Sequence, residues 1–173
     1  MSDLARAAAL VFLVAIVQVS ILAPVSILGG TPDALLVTLV CLALLRGSVA
    51  GATAGFAAGL IVDVATLGTL GITALLLTVA GYWAGRYGET TGRGRVHAAP
   101  LTVAVITILV AVGGLGLHYM LGDAVSAQRA LVTTLLPAIP LNLLLAWPLN
   151  RLCRALLRPP APAQRSTEVQ LLV

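Results

Sequence analysis

The sequence contains no lysine, and charged residues of both signs make up only 9% of its 173 positions. A soluble domain carries about a quarter charged residues, so a chain this poor in charge is excluded from the class of water-exposed globular domains. The ten arginines behind its net charge of +4 are scattered between apolar runs. Nucleic-acid binding needs cations gathered on one face or along one helix, so that class is excluded as well. Cysteine is almost absent: Cys41 stands inside an apolar run and Cys153 beside Arg151 and Arg154, with no C-x-x-C pair. Zinc ribbons and thioredoxin-like redox centres lose their ligands on that count. Also missing are the lysine-containing phosphate loop, the HExxH zinc signature and the GxSxG nucleophile elbow, and "TTGRGR" is too short of context to replace the first. His118 with Asp123 has no third ligand at useful spacing. No nucleophile stands near a base, and the carboxylates are isolated from one another. The expectation is therefore no enzyme, no cofactor and no metal.

What the chain has is hydrophobicity: 60% apolar residues and a mean hydropathy of +1.07. A spanning helix needs about 20 mainly apolar residues, so the length accommodates about six. The first run is Leu4 to Leu22, interrupted by Arg6, Gln18 and Ser20 and then broken by Pro24 and Gly29-Gly30; Arg6 near its start would also suit a signal peptide, but the run is long for one. Asp33 to Leu45 is the second run and ends at Arg46-Gly47. The third begins at Ser48 and fades near Leu67, and the fourth covers Gly71 to Gly85. After the polar stretch "RYGETTGRGRVH" come a fifth run from Ala98 to about Leu121 and a sixth from about Ala127 to Leu149. The expected organisation is an all-α membrane protein with one six-helix transmembrane domain, residues 1–158, and a flexible Pro-rich cytoplasmic tail, residues 159–173.

Arginine placement orients these spans. With the amino terminus in the cytoplasm, Arg6, Arg46, Arg86, Arg93, Arg95, Arg151, Arg154, Arg158 and Arg165 all fall inside, and only Arg129 falls outside. Excess arginine in short loops marks the cytoplasmic side, so both termini are expected there. The same assignment puts Cys41 and Cys153 at different depths, as unpaired thiols. The second run has only 13 residues, about 20 Å of helix against a hydrocarbon core of about 30 Å. Either its helix starts earlier, near Ile27, or the second and third runs form a short hairpin that thins the bilayer.

The densest pattern is "RGSVAGATAGFAAGLIVDV", where Gly47, Gly51, Gly55 and Gly59 recur every fourth residue and Asp63 continues the spacing. Residues four apart share a helix face, and small residues on such a face let a second helix approach closely. That second helix is either one of this chain or one from a partner. Gly81 and Gly85 in "GYWAGR" repeat the spacing on the fourth span. Pro32 followed by Asp33 fits a helix start, the acid complementing the amino-terminal dipole. Asp63, by contrast, is expected to face protein or a water-filled cavity, with Arg129 as a possible mate. Asn142, among Pro137, Pro140 and Pro148, is expected to make an interhelical hydrogen bond.

In order and spacing, "TPDALL", "LLRGSVAGATAGFAAGLIVDV", "LGTLGITALL" and "GYWAGR" resemble the MreD family of bacterial rod shape-determining membrane proteins. The resemblance implies a compact six-helix bundle similar to the substrate-binding component of energy-coupling-factor transporters. It implies a non-enzymatic scaffold of the cell-elongation machinery that makes peptidoglycan. The implied partner is the bitopic protein MreC, and through it MreB filaments, RodA and its penicillin-binding transpeptidase. The positions that carry across are structural: Pro32, Asp33, Gly51, Gly55, Gly59, Asp63, Gly71, Gly81 and Gly85. The alternative is a vitamin-uptake subunit of the transporter class, which needs a polar pocket open to the outside.

Overall fold

The computed structural model describes residues 2–22, 24–25, 29–91, 98–122 and 135–157. Among these residues the elements are helices, with no strand: α1 (Ser2–Val17), continued by a π-helical turn (Gln18–Leu22), then α2 (Ala34–Arg46), α3 (Ser48–Thr66), α4 (Ile72–Thr91), α5 (Ala98–Met120) and α6 (Leu136–Leu156). The sixth run was expected from about Ala127, but residues 123–134 lie outside the described part, as does the tail.

The short second helix is the axis of the bundle. Every residue from Ala34 to Leu45 is buried, and α2 packs against all five other α-helices. A helix that is apolar all round belongs in a core. Its 13 residues suffice because protein, not lipid, surrounds it, so it need not match the hydrocarbon thickness. Of the two alternatives, the earlier start near Ile27 is not what the chain does: residues 29–33 are non-helical and the helix opens at Ala34. Gly47 alone joins α2 to α3, at φ 100°, a conformation that costs a residue with a Cβ and not glycine.

The other helices are inside out by the standard of a soluble protein. The windows Ala5–Leu22, Ser48–Thr66 and Ala99–Met120 are long and apolar enough to cross a membrane, yet only 28%, 28% and 22% of their residues are buried within the protein. Phe12, Leu13, Val49, Phe56, Val64, Leu101 and Val105 face outward. Large contiguous apolar surface of this kind requires an apolar surrounding.

Two elements run further than the hydrophobic runs suggest. α4 continues through Arg86–Thr91 instead of ending at Gly85, and α6 continues past Leu149 to Leu156. The extension of α6 corrects the reading of the cysteines. Cys153 is fully buried and its thiol lies beside that of Cys41 on α2, so the two free thiols are neighbours at one depth. Hydropathy placed Cys153 beyond the span because Asn150, Arg151 and Arg154 surround it, but on the helix those residues turn outward or to the rim while Cys153 faces α2. Treating the wild-type chain in membranes with copper-phenanthroline is expected to give an intramolecular Cys41–Cys153 disulfide, seen by mass spectrometry of non-reduced peptides. No cross-link would mean that α6 does not pack on α2 at this register.

Candidate functional site

The glycine stripe lies against α4 of the same chain. A methyl group at Gly51 would collide with the backbone of Gly81, one at Gly55 with the carbonyl of Leu77, and one at Gly59 with the backbone of Ala74. From the other side, Gly81 meets Gly51, Gly85 meets Gly47 and Ser48, and Gly88 approaches the Leu44 carbonyl. The two helices are antiparallel and touch backbone to backbone along their length, the geometry in which dispersion and Cα–H···O contacts replace a water-driven attraction.

Asp63 ends the stripe because α4 begins there. Its side chain is 2% exposed and its carboxylate accepts from the backbone N–H groups of Gly71 at 2.8 Å, Thr73 at 3.3 Å and Ala74 at 3.3 Å. The Thr73 and Ala74 groups are orphan donors of the first turn of α4 and Gly71 immediately precedes it, all three capped by an acid from the helix next door. The envisaged mate Arg129 lies outside the described residues.

The opposite end of the pair is built the same way. Glu89, near the end of α4, accepts from the backbone N–H of Ser48 at 2.9 Å and from its hydroxyl at 3.1 Å and 3.2 Å. Ser48 opens α3, whose N-cap Gly47 has no capping side chain. Arg86 lies 3.6 Å from the Glu89 carboxylate. The Ser48 backbone donor, above all, holds the Glu89 carboxyl below its ordinary range, against desolvation and with help from the Ser48 hydroxyl and Arg86. Each helix thus ends in a carboxylate that caps the start of the other. Sequence reasoning missed Glu89, although the signal is present: Gly81, Gly85 and Glu89 keep the four-residue spacing of Gly55, Gly59 and Asp63.

A second polar cluster closes the start of α2. Asp33 is its N-cap and accepts from the Leu36 N–H at 2.9 Å, while Pro32 offers its carbonyl to the Gln18 amide at 3.1 Å. The Gln18 oxygen accepts from the Ala34 N–H at 3.0 Å. Asn142, 1% exposed, makes the interhelical bonds expected of it: its oxygen accepts from the Asp33 N–H at 2.8 Å and its amide donates to the Thr107 hydroxyl at 3.2 Å. This cluster ties the π turn, α2, α5 and α6 together. Gln18 and Thr107 were not singled out from sequence, since either residue is common in an apolar helix.

The described arginines gather at one end of the bundle, with Glu89 among them. Arg6 starts α1, Arg46 ends α2, Arg86 lies near the end of α4, and Arg151 and Arg154 near the end of α6. The contacts of Gly88 with Leu44 and of Cys153 with Cys41 place those helix ends together. Asp33 and Asp63 lie at the opposite end. Arg151 stacks over the Trp147 ring at 4.0 Å, and Tyr82 and Trp83 stand exposed on α4, aromatic anchors of the kind found at headgroup level. Among the described residues no group of three or more His, Cys, Asp or Glu side chains gathers.

Fold and site together define a helical membrane protein built around a buried axial helix and a reciprocally capped, glycine-packed helix pair. The family described as rod shape-determining protein MreD matches residues 5–159, and the chain belongs to that family. Its role therefore lies in determining rod shape. No match was found among curated proteins or among solved structures.

Proposed function

We propose that this chain is a non-enzymatic, multi-pass scaffold of the inner membrane, with all six helices crossing and both termini cytoplasmic. Its fold would be similar to that of the substrate-binding component of energy-coupling-factor transporters. In this reading it holds the transmembrane helix of an MreC-like bitopic protein, and so links MreB filaments to RodA and its penicillin-binding transpeptidase during peptidoglycan synthesis. The carrying observation is family membership over residues 5–159. The orientation is supported by the five described arginines at one end of the bundle, the bias that sets topology.

Because α4 occupies the glycine face, the partner helix is assigned to the opposite, outward ridge of α3. Val49, Phe56, Leu60 and Val64 recur there at helical spacing and are exposed. The vitamin-uptake alternative has less support: at the acid end, Gln18, Asp33, Thr107 and Asn142 direct their hydrogen bonds to one another and to backbone.

Phe56→Ala with Leu60→Ala is expected to lower co-purification of the bitopic partner about tenfold, the scale of losing two well-packed anchors, while the bundle melts as the wild type does. Unchanged capture would remove this ridge from the interface. A periplasm-dependent reporter fused after Val173 is expected to be inactive; an active one would overturn the orientation.

A further inference from the structure

Where α1 and α3 part over the buried α2, a lateral groove of about 400 Å³ opens on the surface of the bundle. Its walls are Ala8 and Phe12 from α1 and Ala57 and Ile61 from α3, and Leu42 and Arg46 form its floor. Apart from Arg46, the side chains lining it are apolar, save Thr53, whose hydroxyl turns back to the Val49 and Ala50 carbonyls. The groove therefore has one polar end, at the arginine end of the bundle, and an apolar remainder.

We propose that this groove holds one anionic phospholipid from the leaflet at the arginine end, an acyl chain along α3 and the phosphate at Arg46. Two features select this occupant. The first is charge: a guanidinium, no carboxylate among the lining residues, and Arg6 one residue before the lining Ala7. Arg46 already has an interaction within the chain, and its five N–H donors, in a fork that suits phosphate, give it capacity for a second. The second is length. From Ala50 to Ile61 the groove follows α3 for about 16 Å at the helical rise, roughly half the hydrocarbon core of about 30 Å. That is the reach of a chain from one leaflet; a spanning helix would need a face about twice as long. The inference depends on membrane embedding and not on which protein partner the chain binds.

The test is native mass spectrometry of the full-length chain, exchanged from detergent against phosphatidylglycerol or phosphatidylcholine of identical acyl chains. The wild type is expected to retain one phosphatidylglycerol in preference to phosphatidylcholine. Arg46→Gln is expected to reduce that preference about tenfold, as for one charge-assisted hydrogen bond, and Arg46→Lys to keep most of it. Ala57→Phe, which fills the groove from an exposed position and leaves packed backbone untouched, is expected to lower retention of both lipids. Equal retention of the two lipids by the wild type, or an Arg46→Gln protein with undiminished preference, would overturn the proposal. So would an Ala57→Phe protein that keeps its lipid and loses the bitopic partner, because the groove would then seat a helix.

Discussion

Gly55→Leu is expected to destabilise the bundle by about 3 kcal/mol or more, at the upper end of overpacking penalties, and to lose the folded protein from detergent extracts. The reason is the identity of the obstructing atoms. A Cβ at Gly55 meets the Leu77 carbonyl and the Thr78 nitrogen, which are backbone of α4 and not a side chain able to rotate away. The helices would have to separate, opening the contacts of Gly51 with Gly81 and of Gly59 with Ala74 in the same movement. Gly55→Ala should already lower the melting temperature, and Phe56→Ala, one position on and facing outward, should leave it within the wild-type range. A stable Gly55→Leu protein would mean that α4 does not lie on the stripe. Loss of partner capture by Gly55→Leu therefore reports on folding, and interface tests belong on the outward ridge of α3.

For Asp63→Ala we expect a loss of about 3 kcal/mol, roughly 1 kcal/mol for each backbone donor left buried without an acceptor. Gly71, Thr73 and Ala74 would all be affected, and lipid offers no replacement acceptor. Asp63→Asn should recover only part of this, since its amide turns two donors toward donors. Thermal unfolding of the purified variants in one detergent checks both. Glu89 at the other end provides a contrast in pH. Its carboxyl titrates below the ordinary glutamate range when folded, so its contribution is complete above that range and disappears as pH falls through the lowered value. Glu89→Gln should therefore lower the melting temperature at neutral pH, change it little at acid pH where the wild-type carboxyl is already protonated, and so flatten the acid limb of the melting profile. A wild-type and a Glu89→Gln protein with identical acid limbs would show that the carboxylate does not cap α3.

Hydropathy was sufficient to read six helical segments, because an apolar run bounded by glycine, proline or charge marks each segment separately and independently of its neighbours. The starts of α2 and α3 were legible for a similar local reason. Pro32-Asp33 and Arg46-Gly47 carry cap and turn chemistry that acts within a few residues. Helix ends in water were less legible. Residues 86–91 are polar and glycine-containing, and local pattern makes them a loop; they are helical because Gly88 packs on Leu44 and Glu89 reaches Ser48, contacts about forty residues away in sequence.

By itself, the sequence determined that the chain is a helical membrane protein of the MreD family and that one face of its third helix is made for close approach. Only the tertiary structure decided what approaches that face, why a carboxylate closes it, and that the shortest hydrophobic run is the core of the bundle. The physical reason is that apolar composition and i, i+4 spacing specify which surface must be covered, whereas the choice of the covering element depends on backbone donors and carbonyls. Those groups are the same in every residue, and only the packed arrangement of Gly51 on Gly81, Asp63 on Gly71 and Glu89 on Ser48 distinguishes them.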